Sequence, residues 1–167
     1  MTIDIQIRPE RPADAIDIRH VTEQAFAGRS YSSGTEHHIV DALRESGALA
    51  ISLVAEHDGR VVGHVAFSPA NPADGTPGWY TLGPVSVFPD VQRQGIGRAL
   101  ISAGIDGLRE QRASGCIVVG DTNYYSRFGF VPSPDHSPIG ELKQHFMTLS
   151  FTSHVPAGVI HFHPVFL

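Results

Sequence analysis

Several things are scarce in this sequence, and each scarcity closes off a class of protein. There is one cysteine, Cys116, so no disulfide can form within the chain and nothing suggests a stapled secreted domain. Cys116 is expected to be a buried core thiol rather than a nucleophile. No apolar run approaches the ~20 residues that span a bilayer. The opening MTIDIQIRPE holds no apolar signal-peptide core, and the expectation is a cytoplasmic protein. Cations are outnumbered: 12 Lys and Arg against 17 Asp and Glu leave a formal charge of −5, so no basic field speaks for nucleic acid. The ten histidines are scattered. His161-Phe162-His163 places two rings on one face of an expected strand, but two imidazoles without a third ligand make an incomplete zinc site. No metal is expected.

What remains is an ordinary globular chain. Its 167 residues, 41% of them hydrophobic, are enough for one domain with a real core. Ile3, Ile5 and Ile7 alternate with polar residues as a half-buried strand does. Asp14 is placed to cap or start a helix whose apolar face uses Ile18, Val21, Ala25 and Phe26. Thr35 reads as the N-cap of a second helix with Ile39, Val40 and Leu43 on one face. Strands follow over Leu49 to Ala55 and Val61 to Phe67, joined at His57-Asp58-Gly59-Arg60, a hairpin turn by its Asp-Gly pair. Ser68 to Gly78, rich in proline, is a loop. Cys116 to Val119 is short and apolar, hence a buried central strand. A short helix is expected around Tyr124 to Phe128. Ser133 to Gly140 is a loop, and Phe146 to Phe151 and Gly158 to Phe162 form a last pair of strands.

The stretch that organises the chain is Tyr80 to Leu100, YTLGPVSVFPDVQRQGIGRAL. A strand over Thr81 to Phe88 leads into a glycine-bearing turn, which opens an apolar-periodic helix at Arg98. First-turn amides of a helix lack intrahelical partners, the helix dipole makes that end positive, and glycine lets an anion approach the backbone. The turn is therefore expected to hold a phosphate or pyrophosphate. Its spelling excludes the common alternatives. No Gly-Lys-Ser/Thr follows, so it is not a P-loop, and Gly95-x-Gly97-x-x-Leu100 lacks the third glycine of a dinucleotide fingerprint.

Gln92-x-x-Gly95-x-Gly97 after a Val85-x-Val87 strand end resembles the acetyl-CoA signature of the GNAT superfamily of N-acetyltransferases. A second motif agrees: Tyr125-x-x-x-Gly129-Phe130 matches a tyrosine that this family places on the helix after its fifth strand. The element order is similar along nearly the whole chain. The resemblance implies a mixed α/β fold, a twisted sheet flanked by helices, and acetyl transfer from acetyl-CoA to a primary amine by direct attack in a ternary complex. It implies that backbone groups of Val85, Ser86 and Val87 pair with the pantetheine arm. The diphosphate would rest on Gln92, Arg93, Gln94, Gly95, Ile96, Gly97, Arg98 and Ala99. Tyr125 is the implied general acid for the departing thiolate, and Phe128 would pack against the cofactor. Many relatives carry a glutamate on the fourth strand. None lies between Tyr80 and Phe88, which leaves the base open among Glu36, Glu56, His161, His163 and a water chain to bulk that Ser86 could help to order, Glu36 first. The missing acid is also the main support for the alternative, a non-catalytic acyl-CoA-binding module. The acceptor is not legible, and dimers are frequent in the family.

Overall fold

The computed structural model describes residues 3–30 and 32–166. The chain divides into two compact units, one of Met1–Phe67 and Gly83–Gly107, the other of Ser68–Leu82 and Leu108–Leu167.

The first unit is built on β1 (Gln6–Pro9), β2 (Ile51–His57) and β3 (Arg60–Pro69), joined antiparallel. β1 starts later than the Ile3–Ile7 alternation suggests, because its register runs from Gln6 opposite Glu56 to Pro9 opposite Leu53. Pro9 is tolerated there because β1 is an edge strand. β2 and β3 turn at Asp58 and Gly59, both with positive φ (50° and 77°), as a two-residue hairpin loop with His57 opposite Arg60 requires. The helices α1 (Ala15–Phe26) and α2 (Glu36–Glu45) pack on each other. They bury Ile18, Val21 and Ala25 from one helix and Val40 and Leu43 from the other. α3 (Ile96–Glu110) lies close against β3: a Cβ on Gly63 would meet Leu100 and Ile96 at 3.0 and 3.1 Å.

Asp14 and Thr35 stand at the N-cap positions of α1 and α2 as expected, but neither side chain makes the capping bond. Asp14 makes no side-chain cap bond to α1. Its carboxylate turns back to accept from the Arg11 amide at 2.6 Å and from the Arg8 guanidinium at 2.7 Å. With these two donors, one of them charged, the carboxylate oxygens are engaged away from the α1 amides. Thr35 likewise makes no side-chain cap bond to α2; its hydroxyl pairs with Ser33 at 2.6 Å.

The second unit contains β4 (Asn71–Pro72), the first half of β5 (Trp79–Val87), β6 (Gly115–Val119), α4 (Thr122–Tyr125), β7 (Val131–Pro132), β8 (Phe146–Ser150) and β9 (Ile160–His161). β5 and β6 run parallel, while β6–β8 and β7–β8 are antiparallel. The ladder is thus mixed, in the order β1-β2-β3-β5-β6-β8-β7, and β5 is the strand whose halves belong to different units. β6 is inside the ladder and buried, as its apolar run predicts. The last two strands do not pair with each other. β8 lies between β6 and β7, and β9 pairs with β4 inside the proline-rich loop, Asn71 opposite His161. Burial explains the choice: Ile160 and Phe162 join Ala70, Trp79, Ile117 and Phe146 in one apolar cluster, which pulls the 158–162 segment onto the loop.

Candidate functional site

In the first unit, α3 begins two residues earlier than the sequence suggests, at Ile96. Its first backbone bond is given by the Ala99 amide to the Gly95 carbonyl at 3.0 Å. The amides of Ile96, Gly97 and Arg98 therefore precede the intrahelical ladder and point out of the helix end, where the macrodipole is positive. Gly95 stands at the cap position with φ +83° and carries no side chain over those amides. Arg93 is also left-handed, φ +65°. Arg93 and Arg98 are exposed and Ile96 is buried, so the turn is anchored from inside and cationic outside.

Gln92 fixes the turn at its start. Its Nε2 donates to the Val87 carbonyl at 2.9 Å, and its Oε1 accepts from Arg29 Nη2 at 3.1 Å. Val85 and Val87 are half-buried, whereas Ser86 is buried with a hydroxyl that has no hydrogen-bond partner among the described residues. Arg29 belongs to the segment between α1 and α2, which lines a cavity of ≈ 390 Å³ together with Glu23, Ser32, Glu36 and His37. Glu36 sits at the first position of α2. It accepts from the Ser32 hydroxyl at 2.6 Å and the Ser33 amide at 3.3 Å, which holds its carboxylate against the cavity wall. The turn, the end of β5 and Glu36 thus lie in one unit.

The other base candidates are placed differently. Glu56 accepts from Arg8 Nε at 3.1 Å and belongs to a salt-bridge cluster with Asp14. His161 is exposed on β9, and His163 Nδ1 accepts from the Val165 amide at 3.2 Å. No group of three or more His, Cys, Asp or Glu converges among the described residues. Cys116 is buried, and burial pushes its thiol well above the usual range.

In the second unit, Asp121 caps α4 by accepting from the amides of Asn123 and Tyr124 at 2.9 and 3.4 Å. α4 then presents Tyr125 to an aromatic cluster. Its ring stands 6.0 Å from Phe130 at 77° and 6.3 Å from Phe128, and it lies so close to Gly120 that a Cβ there would meet Cε2 at 2.5 Å. Edge-to-face packing of this kind fixes the ring. Tyr125 and Phe128 are therefore together and half-buried.

Arg29 and its bond to Gln92 were missed by sequence reasoning. The two residues are 63 positions apart, and no periodicity links them. The only available signal was a lone arginine in a small-residue loop.

A strand that ends in an uncovered helix N-terminus is an anion-binding arrangement. The chain belongs to the acetyltransferase (GNAT) family, whose profile matches residues 17–130. It is 38% identical to the N-acetyltransferase YhbS of Escherichia coli K12 over 131 residues, 78% of this chain and 75% of that one. Among solved structures, a GNAT acetyltransferase of Brucella melitensis in complex with acetyl-CoA is 47% identical, with a TM-score of 0.87 over 98% of both chains. YhbS of Escherichia coli in complex with CoA has a TM-score of 0.88 at 31% identity, covering 99% of this chain and 93% of that one. No helix of the described residues is long and apolar enough to cross a membrane.

Proposed function

We propose that the chain acts as a single catalytic module that moves an acetyl group from acetyl-CoA to a primary amine by direct attack in a ternary complex, in the cytoplasm. The amides at the start of α3 receive the diphosphate, with Arg93 and Arg98 adding charge-assisted contacts. Backbone groups of Val85, Ser86 and Val87 pair with the pantetheine arm, and an amide near Val87 steadies the thioester oxygen as it gains charge. Phe128 packs against the cofactor. Glu36 takes the proton from the acceptor ammonium. The freed amine nitrogen then attacks the thioester carbon, the C–N bond forms and the C–S bond breaks. Tyr125 gives its phenolic proton to the departing sulfur and recovers one from solvent.

The observation that carries this reading is the uncovered helix N-terminus at Gly95 to Arg98. The 47% identical Brucella structure with acetyl-CoA supports it. The test is thiol release from acetyl-CoA across a panel of amines, alongside calorimetric titration with CoA. Micromolar binding with amine-dependent thiol release is expected. Absence of binding would sink the reading.

One observation favours a second reading, a non-catalytic acyl-CoA-binding module: β5 carries no carboxylate from Trp79 to Val87. Tight CoA binding with no thiol release for any amine would select it.

A further inference from the structure

Of the 12 Lys and Arg residues, 11 are arginines and one, Lys143, is a lysine. A guanidinium stays charged, whereas a lysine amine that has lost its proton is a nucleophile. Lys143 is therefore the one side chain here with the chemistry of a primary-amine acceptor. It is exposed on the 3-10 helical turn Gly140–His145, and its amine has no partner among the described residues. The backbone of this turn is held. The Leu142 amide donates to the Ile139 carbonyl at 3.1 Å, and the Phe146 amide donates to the Lys143 carbonyl. Leu142 packs on the apolar cluster around Phe146. Adjacent residues of a helical turn face different ways, so burying Leu142 turns Lys143 outward.

The end of the turn is tied to the surroundings of Tyr125. The Gly120 amide donates to the His145 carbonyl at 3.0 Å. A Cβ on Gly120 would meet Cε2 and Cζ of Tyr125 at 2.5 and 3.5 Å, so the hydroxyl-bearing end of the ring lies beside the residue that holds the turn. Lys143 precedes His145 by two positions, at a rise of ~2 Å per residue in such a turn. Its amine stands on a flexible four-carbon stem. The strand end is also open there: the pairing of β6 with β5 stops at Ile117, while its pairing with β8 runs on to Val119. All of these residues belong to the second unit.

We propose that Lys143 is a self-acetylation site, whose Nζ takes the acetyl group of acetyl-CoA bound to the same molecule when no other amine is supplied. This rests on the acyl-CoA reading above, in which Tyr125 stands at the departing sulfur. The Lys143 ammonium first gives a proton to solvent. The neutral Nζ attacks the thioester carbon, the C–N bond forms and the C–S bond breaks. Tyr125 gives its proton to the sulfur, the nitrogen releases its surplus proton to solvent, and Tyr125 recovers one from there. The products are acetylated Lys143 and the free thiol of CoA.

The full chain is incubated with acetyl-CoA and no added amine, folded in buffer and unfolded in denaturant, at several chain concentrations. Thiol release and the acetyl content of each peptide are followed, the latter by mass spectrometry. CoA binding by calorimetry and thiol release with the amine panel are measured on the same preparation. One acetyl group is expected on Lys143, formed at least about tenfold faster in the folded chain than in the unfolded one. The rate per chain is expected not to change with chain concentration. A burst of one thiol per chain accompanies it and is lost in Lys143→Arg. Absence of CoA binding removes the acyl-CoA reading and this site with it. CoA binding with neither thiol release nor acetylation selects the non-catalytic module and also removes the site. Amine-dependent thiol release with unmodified Lys143 removes the self-acetylation site alone. So do equal rates in the folded and unfolded chain, which mean uncatalysed acetylation, and a rate per chain that rises with concentration, which means transfer between molecules.

Discussion

A methyl group built on Gly104 would stand 2.1 Å from Cε1 of Phe67 and 2.6 Å from its Cζ. Both residues are in the first unit, and Phe67 is fully buried, so neither the ring nor the helix has room to give. Overpacking of this kind costs about 1–3 kcal/mol. Gly104→Ala is expected to lower the denaturation midpoint accordingly, and adding Phe67→Leu should recover part of the loss. An unchanged midpoint in the single variant would mean that α3 does not pack as described. At Tyr125 the ring is fixed by Phe130, Phe128 and Gly120, so Tyr125→Phe keeps the packing and removes only the hydroxyl. If that hydroxyl supplies the proton, kcat falls about 100-fold, while CoA affinity measured by calorimetry changes little. Equal turnover in the variant would leave Tyr125 a packing residue only.

The turn between β5 and α3 acts as an element. A Cβ on Gly95 would meet nothing within 4 Å, so steric room is not what excludes a side chain there. The constraint is φ +83°, which costs an L-residue about 1–2 kcal/mol. Gly95→Ala is expected to lose about that much stability and to raise the dissociation constant for CoA several-fold, because relaxing the turn moves the amides off target. Unaltered CoA binding would argue that the amides are not the ligands. This element was legible from the sequence because its information is local: strand residues, glycines and helix periodicity lie within twenty consecutive positions. The hairpin at Asp58-Gly59 and the buried β6 were legible for the same reason. What escaped was non-local. The pairing of β4 with β9 joins Asn71 to His161, and only the shared apolar cluster explains it. Glu36 was picked out as a helix-start acid, but its holding by Ser32 and Ser33 depends on how the preceding loop folds back. Asp14 looked like a cap because capping is a local rule. Its side chain is instead held by the Arg11 amide and by Arg8 on the preceding strand.

At the scale of the whole molecule, buried charge sets the acid limit of stability. His64 on β3 is fully buried, and its Nε2 lies 2.8 Å from the Ser52 hydroxyl. That hydroxyl gives its one proton to Glu10, so His64 must be the donor and Nδ1 is bare, with no hydrogen-bond partner among the described residues. The charged groups facing it are Glu10, Arg44 and Asp14. Desolvation dominates, outweighing the attraction of Glu10, and lowers the imidazole pKa from 6.5 to about 4. The unfolded chain therefore binds this proton more readily than the native one. The stability gained by keeping His64 neutral is fully present above pH 6.5 and is lost as pH falls toward about 4. It amounts to ~3 kcal/mol. Glu10 and Asp14 act lower on the scale. Burial raises Glu10, but its hydrogen bonds from Arg44 and Ser52 bring it net below its ordinary value, and the Arg8 guanidinium leads in lowering Asp14. Their contribution is fully present above the ordinary carboxylate values and starts to fade as pH falls through them, so the interval from pH 6.5 to about 5 reports on His64. Denaturant midpoints measured across that interval should fall with decreasing pH in the wild type and fall less in His64→Leu, by about one proton's worth of slope. Parallel curves for the two proteins would show that His64 is not the group that titrates on unfolding.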